Sequence, residues 1–336
     1  MNPQVTVLLP VRDAAATLSE ALDSLWAQTW TGFTVLAVDD GSTDASAAIL
    51  ARHAEREPRL RVLRNRGAGL VAALETARAE AGTPYLARFD ADDRCHPDRF
   101  RLQIPYLEQN PHVAAVGSRV TLFPRERVGP GWTRYAAWLN GVLTVEDHAR
   151  ERFVESPLAH PSVTMRAGAV EAAGGYRDPK WAEDYDLWLR LLEAGWGLAK
   201  VDRVLLAWRH SEDRLSVRSE RYAPDAFLAA RAHYLARWLR ADGLDRTALW
   251  GAGPTGRKLQ RMLAGDGVSV TRFYEVDPAK IGGERNGIPV VSWEELEPAG
   301  TTRLIVAVGA PGARERIRPE VRAKGYREGV DAFLAG

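Results

Sequence analysis

An α/β fold built on a mostly parallel sheet is predicted by three features of the sequence. Apolar runs short enough to be strands alternate with segments of helical period through the first hundred residues. The turns between them are short and rich in Gly, Asp and Pro, and the same alternation resumes after about residue 243. Such an order implies βαβ units, because parallel strands need a crossover helix between them.

Taken in order, VTVLLPV (5–11) reads as a buried strand, and TLSEALDSLWAQT (17–29) has apolar residues at helical spacing. FTVLAVDD (33–40) is the second strand, and the run from Asp44 to Leu50 opens the next helix. LRVLRN (60–65) is a third strand, GLVAALETARAEAG (69–82) a helix ending at Gly82, and PYLARFD (84–90) a fourth strand ahead of a Pro-started helix. From Pro124 to Val154 the pattern loosens around a Gly-Pro-Gly turn (129–131) and the aromatic stretch WTRYAAWLNGV. That stretch reads either as a helix packing on the sheet or as a surface for a second substrate or a membrane. HPSVTMR (160–166) is a further strand, and EDYDLWLRLLEAG (183–195) is an amphipathic helix with an acidic first turn and Gly195 as C-cap. VDRVLLAWRH (201–210) returns as a strand, and a long Ala/Arg/Leu helix over 220–242 reads as a connector. Beyond it the alternation runs RTALWGAGPTG, helix, VTRFYEVD, a short helix at SWEELE, RLIVAVG, helix, YREGVDAF. The expected division is a first domain over 1–218, a connector over 219–243 and a second domain over 244–336.

Composition narrows the function. The chain has 336 residues, enough for two domains, with 46% hydrophobic and 26% charged residues, as in ordinary globular proteins. A formal net charge of +1 leaves no basic excess to neutralise a phosphate backbone, which argues against nucleic acid as partner. No apolar run approaches the roughly 18 residues needed to span a bilayer, so no integral membrane segment is expected. The first residues enter a strand pattern without a basic leader, so no signal peptide is read and a cytoplasmic location is expected. A single cysteine, Cys95, excludes an internal disulfide and any Cys-based metal cluster, and a buried inert thiol is the simpler expectation for it.

The chemistry-bearing residues gather where it matters. In parallel sheets ligands bind beyond the carboxyl ends of the strands, and Pro10, Asp39, Asp40 and Asp90 to Asp93 all fall at such ends. Two unit charges about 4 Å apart interact at roughly 4 kcal/mol at an effective dielectric of about 20, so three pinned carboxylates favour a bound divalent cation. Oxygen ligands alone select Mg²⁺ or Mn²⁺, which keep open positions for phosphates. The simpler alternative is a capped turn, with Asp92 or Asp93 closing the segment ahead of Pro97. In AVDDGSTDAS (37–46), two acceptor-only carboxylates at a strand end face a Gly-Ser turn and suit an imide N–H or ribose hydroxyls. PVRDAAATL (10–18) brings backbone and a helix start to the same edge, where a base or phosphate can meet them. Glu183 and Asp184 open a helix, where the dipole keeps carboxylates ionised and able to act as a general base.

Together these segments closely resemble the family 2 glycosyltransferases, which have the GT-A fold, over about residues 4 to 216. VLLPVRDAAATLSEALDSLWAQTW is similar to that family's opening strand and helix, and VLAVDDGSTDAS to its nucleotide loop. The stretch from GLVAALETARAEAG to FDADDRCHPDRFRLQ is similar to its central segment ending in the DxD motif. PLAHPSVTMRAGAVEAAGGYR and AEDYDLWLRL resemble the acceptor side, and LLAWRHSEDRLS the closing strand. The resemblance implies that Pro10, Val11 and Asp13 line the nucleotide pocket, that Asp39 and Asp40 contact base and ribose, and that Arg66 approaches the nucleotide. It makes Asp90, Ala91 and Asp92 the DxD segment, with Asp92 as first metal ligand, Asp90 beside it and His210 as a late contact to metal or diphosphate. Glu183 falls on the donor side, and Asp184 fits the catalytic base. Asp13 and Glu75 stand where the family often has Asn, which bears on donor identity.

What the resemblance implies is a metal-dependent (Mn²⁺ or Mg²⁺), inverting transfer of a sugar from a nucleotide-diphosphate donor, UDP by default, to a hydroxyl of a glycan or lipid-linked acceptor. It also implies a place in polysaccharide biosynthesis; peripheral contact with the inner membrane face and a homo-oligomer are compatible with the sequence, which does not specify either.

The second domain carries its own pattern. LWGAGPTG (249–256) satisfies G-x-G-x-x-G through Gly251, Gly253 and Gly256, follows a strand and opens a helix. Glu275 or Asp277 ends the next strand at the distance expected for a ribose contact. A small Rossmann-like domain follows, binding NAD(P) or another nucleotide, or serving a structural role. The competing functions are a nicotinamide-dependent sugar-nucleotide oxidoreductase centred on these glycines and a non-catalytic sugar-nucleotide-binding protein.

Overall fold

The computed structural model describes residues 3–211, 219–300, 302–310 and 312–336, so the last part of the expected closing segment, 212–216, lies outside the described residues. The chain forms two compact units: Met1–His148 with Pro157–Pro179 and Glu183–Arg218, and Ala149–Ser156 with Lys180–Ala182 and Ser219–Gly336.

In the first unit the strands are β1 (Val5–Val11), β2 (Phe33–Asp39), β3 (Leu60–Arg64), β4 (Tyr85–Arg88), β5 (Arg94–Cys95), β6 (Val113–Phe123), β7 (Thr164–Arg166) and β8 (Gly197–Arg209). Helices α1 (Leu18–Trp26), α2 (Ser46–Ala54) and α3 (Leu70–Glu80) link the first four strands, and α4 (Arg99–Gln109), α5 (Pro130–Gly141), α6 (Val145–Glu151, in this unit up to His148), α7 (Ala167–Ala172) and α8 (Glu183–Glu193) follow. The strands form one eight-stranded sheet in the order β3-β2-β1-β4-β7-β6-β8-β5. Its first four strands are parallel, with Val5 opposite Phe33 and Tyr85. Beyond β4 the sheet is mixed: β7 runs antiparallel to β4 and β6, β8 parallel to β6, and β5 antiparallel to β8.

The strands form because their apolar residues are buried on both faces. Val5, Val7, Leu9 and Val11 pack on one side with Leu18, Ala21, Leu22 and Leu25, the i, i+3, i+4, i+7 face of α1. Leu8, Leu36 and Leu86 pack on the other with Ala73, Leu74 and Ala77 of α3. Burying one such Leu is worth about 1.5–3 kcal/mol, so the sandwich holds the strand ends, and whatever sits on them, in fixed register.

One stretch without an assignment is filled here, and one sequence expectation shifts. The region before Pro124 holds β6, an eleven-residue strand. Gly117 and Ser118 interrupt its apolar pattern, and the gap is structural: a Cβ on Gly117 would lie 2.8 Å from Leu158 Cδ2. HPSVTMR is a strand only from Thr164, because His160–Ser162 winds into a tight turn with Pro161 in its first positions. The aromatic stretch forms α5, and Trp132, Tyr135 and Trp138 pack on the sheet's core.

In the second unit, α9 (Pro224–Ala241) precedes β9 (Arg246–Trp250), α10 (Pro254–Gly265), β10 (Ser269–Glu275), β11 (Glu284–Arg285), β12 (Ile288–Ser292), β13 (Arg303–Val306), α11 (Ala313–Ala323) and β14 (Ala332–Leu334). The sheet order is β11-β12-β10-β9-β13-β14, parallel apart from β11. The order reverses between β9 and β13, the doubly wound arrangement of a Rossmann-like half. Gly256 has to be glycine: a Cβ there would sit 1.9 Å from the Gly251 carbonyl oxygen. No helix among the described residues is long and apolar enough to cross a membrane.

Candidate functional site

The carboxyl ends of β1, β2 and β4 carry the predicted donor-side residues. Val11 is buried and its carbonyl accepts the Asp40 N–H at 2.9 Å, which joins the ends of β1 and β2; Pro10, half-buried, precedes it. Asp13 is exposed, with φ of 46°, and its Oδ1 accepts the Thr43 N–H at 2.7 Å and the Thr43 hydroxyl at 3.1 Å. The Thr43 N–H first of all holds its pKa below the usual carboxylate value. Asp13 therefore braces the loop after β2.

Asp39 and Asp40 face different partners. Asp39 Oδ1 accepts the Ser42 N–H at 3.0 Å and the Ser42 hydroxyl at 2.6 Å, a local turn. Asp40 accepts Asn65 Nδ2 at 2.6 Å, the Gly69 N–H at 3.0 Å and Arg12 Nη1 at 3.4 Å, so it ties the entry of α3 to β2. Arg66 is exposed and bridged to Glu80. Glu75 turns toward the 174–176 turn, accepting the Tyr176 N–H at 2.6 Å beside Arg78.

At the end of β4 the chain turns sharply. Side-chain oxygens of Asp90, Asp92 and Asp93 lie within 4.8 Å of one another. Asp90 Oδ1 is 2.6 Å from Arg88 Nη2. The Ala91 carbonyl accepts the Thr17 hydroxyl at 3.0 Å, and the Asp92 carbonyl accepts Arg209 Nε at 2.6 Å. Asp93, 1% exposed, accepts the backbone N–H of Arg209 at 2.7 Å, so its carboxylate binds the turn to β8 where the sequence suggested a local cap. Oxygen donors at this spacing fit a hard divalent cation, which takes carboxylates and leaves room for phosphate oxygens. His210, buried beside the Trp132 ring at 5.0 Å, lies outside this group of ligating atoms.

Glu183 and Asp184 open α8. Asp184 is half-buried and its Oδ1 accepts the Tyr185 N–H at 2.7 Å. Glu183 is buried, with Oε1 3.7 Å from His160 Nδ1, and His160 Nε2 lies 2.9 Å from the Tyr176 hydroxyl. Burial, opposed by Glu183, keeps the His160 pKa low, and burial raises that of Tyr176. Cys95 is buried, and burial pushes its thiol pKa up, which makes it a poor nucleophile.

Sequence reasoning passed over four residues: Arg88, Arg99, His160 and Tyr176. Arg99 is buried and donates to the carbonyls of Arg88 (2.9 Å), Pro161 (2.8 Å) and Val163 (2.9 Å), fixing β4 against the 160–163 turn. The available signal was an arginine inside the apolar run Tyr85-Leu86-Ala87-Arg88-Phe89, a position that demands buried partners.

In the second unit, Gly251, Gly253 and Gly256 shape the turn from β9 into α10. Glu275 accepts the N–H groups of Ala252 (3.1 Å), Val276 (2.9 Å) and Asp277 (3.3 Å), with Lys280 at 3.6 Å. Asp277 pairs with Lys280 at 3.1 Å, which with the Ala279 N–H lowers its pKa.

Comparison with known proteins agrees with the geometry. The model of the family described as glycosyl transferase family 2 matches residues 6–171. The amylovoran biosynthesis glycosyltransferase AmsE of Erwinia amylovora is 30% identical over 215 residues, covering 64% of this chain and 78% of that protein. Among solved structures, S. aureus TarS 1–349 in complex with UDP-GlcNAc superposes with a TM-score of 0.57 at 17% identity, over 79% of this chain and 71% of that one. The mannosyltransferase PcManGT of Pyrobaculum calidifontis, in complex with GDP-Man and Mn²⁺, gives 0.51 at 21% identity, over 72% and 64%. The strand-end aspartates, the acidic start of α8 and these likenesses converge on one assignment: the chain belongs to glycosyl transferase family 2 and is a glycosyltransferase of the GT-A fold.

Proposed function

We propose that the first unit transfers a sugar from a nucleotide-diphosphate donor to a hydroxyl of a growing glycan or lipid-linked acceptor, with inversion and with a divalent cation, in polysaccharide biosynthesis. The observation that carries this reading is the cluster of Asp90, Asp92 and Asp93 at the end of β4, in the same unit as the acidic start of α8. Support also comes from relatives: AmsE is named for amylovoran biosynthesis, TarS is bound to UDP-GlcNAc, and PcManGT to GDP-Man and Mn²⁺.

Asp92, with Asp90 and Asp93 beside it, is the set that would hold the cation, which when bound neutralises the diphosphate. The ends of β1 and β2, with Pro10, Val11 and Asp39, receive the base and ribose. Asp39 suits the contact with the nucleoside, whereas Asp13 and Asp40 act on loop geometry. Asp184 takes the proton of the acceptor hydroxyl as its oxygen attacks the anomeric carbon, and the bond from that carbon to the diphosphate oxygen breaks on the opposite face. The charge left on the nucleoside diphosphate is the leaving group's own. A screen of UDP, GDP and dTDP sugars with Mn²⁺, reading nucleoside diphosphate release, tests this. Release that disappears with EDTA and with Asp92→Ala is expected, and release indifferent to both would remove the cation from the account.

For the second unit the geometry favours a structural role over dinucleotide binding, because Glu275 already accepts three backbone N–H groups where a ribose would need it. A thermal-shift panel of NAD, NADP, nucleotide sugars and S-adenosylmethionine tests this, and a rise of several degrees with any of them would reverse it.

A further inference from the structure

His160 is buried at the head of the tight turn His160–Ser162, and both of its ring nitrogens face a side chain. Nε2 lies 2.9 Å from the Tyr176 hydroxyl, and Nδ1 lies 3.7 Å from Glu183 Oε1. A carboxylate offers acceptors only, so the ring proton belongs on Nδ1, and Nε2 is left to accept from Tyr176. The ring also meets α8 edge-on: its centroid is 5.7 Å from that of Trp188, with the planes at 85°.

The turn that carries His160 is fastened to β4. The Val163 carbonyl accepts the Arg88 N–H and Arg99 Nη2, both at 2.9 Å. The Pro161 carbonyl accepts Arg99 Nη1 at 2.8 Å, and the Ser162 carbonyl accepts Gln103 Nε2 at 2.8 Å. Arg88 is the last residue of β4, just ahead of the aspartate turn. On the other side, Arg190 of α8 donates from Nε to Asp186 at 2.7 Å and from Nη2 to the Gly175 carbonyl at 2.9 Å, which holds the turn before Tyr176 against the helix. Glu183, Tyr185 and Asp186 are buried, while Asp184 among them is half-buried. The inward side chains therefore fix the start of α8, and Asp184 is the acid left partly open.

We infer that His160 is a positioning residue for the transfer reaction: anchored through its turn to the end of β4, its ring holds Tyr176 and the Glu183 end of α8, and so sets Asp184 relative to the aspartate turn. Glu183 then works inward, through His160, and not as a contact to the donor. The inference rests on the reading of Asp184 as the base.

The test uses His160→Leu, which removes both ring nitrogens, and Tyr176→Phe, which removes only the hydroxyl that orients the ring. Turnover should fall about tenfold or more in the first and about threefold or more in the second, while calorimetric affinity for UDP plus Mn²⁺ stays within about threefold of the parent. The double variant should be no slower than His160→Leu alone, because the two side chains act as one unit. Hydrogen exchange in the metal-free protein should quicken at amides 183–187 in both variants, with those of α2 unchanged as the control for general loosening. Turnover near the parent level in both variants, or unchanged exchange at 183–187, would overturn the inference. So would a nucleotide affinity that falls as far as turnover does. If His160→Leu fails to fold, Tyr176→Phe decides by the same readouts. A parent that turns over none of the donors or does not bind UDP with Mn²⁺, or an Asp184→Asn variant of full activity, counts against the reading of the reaction alone, and exchange at 183–187 then decides His160.

Discussion

Asp93 Oδ1 accepts the backbone N–H of Arg209 at 2.7 Å, while the Arg209 side chain returns to the Asp92 carbonyl at 2.6 Å. These two bonds clasp the aspartate turn to β8, and the Arg209 guanidinium continues outward to Glu20 and over the Phe123 ring. A turn carrying three carboxylates is thereby held shut by hydrogen bonds to a strand distant in sequence.

Removing one half of that clasp should loosen the turn. Asp93→Ala is expected to lower stability in the presence of EDTA by about 1–3 kcal/mol, because a buried N–H loses its charged acceptor. Asp93→Asn keeps an acceptor oxygen and should retain part of the loss. Denaturant melts of both variants measure it. Full stability of Asp93→Ala would show that Arg209 finds another acceptor.

Acid should destabilise the first unit through His148. Its ring is buried, with Nδ1 2.8 Å from the Thr144 carbonyl, and burial first, then Lys200, lowers its pKa from 6.5 to about 3. The unfolded chain binds a proton near pH 6.5 that the folded chain refuses until about pH 3. Stability from this group is therefore complete above pH 6.5 and falls as the pH drops through that window. About 1.6 kcal/mol should go between pH 6.5 and 5, at most about 1.4 kcal/mol per pH unit. Melts of the parent and His148→Leu over that range compare the slopes, and identical slopes would exclude His148 as the cause.

Much of this was legible beforehand, and the losses have physical reasons. The first four parallel strands were readable because two-sided burial makes near-continuous apolar runs, as in VTVLLPV. The aspartates were readable because carboxylates crowd at strand ends. Beyond β4 the sheet turns mixed, and there the reading weakened: β6 is interrupted by Gly117 for close packing, and the His160–Ser162 turn looks like strand in sequence. The clasp was illegible, since Asp93 and Arg209 are 116 residues apart. Asp13, Asp40 and Asp93 show the limit most clearly. A carboxylate at a strand end announces a need for donors, and only the fold reveals that backbone amides of loops and of a distant strand fill part of that need.

Gly256→Ala should damage the second unit specifically. The added Cβ would meet the Gly251 carbonyl at 1.9 Å, so α10 or the turn before it must shift. A loss of about 2 kcal/mol or more is expected, read as a lower Tm by calorimetry. An unchanged Tm would mean that the turn accommodates a methyl group.

The central claim is that Asp184 removes the acceptor proton while the nucleotide is held elsewhere, by the strand ends and the aspartate turn. Asp184→Asn tests it most directly, with turnover and calorimetric binding of UDP plus Mn²⁺ measured on the same preparation. Turnover should fall by about 10³-fold or more while nucleotide affinity stays within about threefold of the parent. Turnover near the parent level would contradict the account.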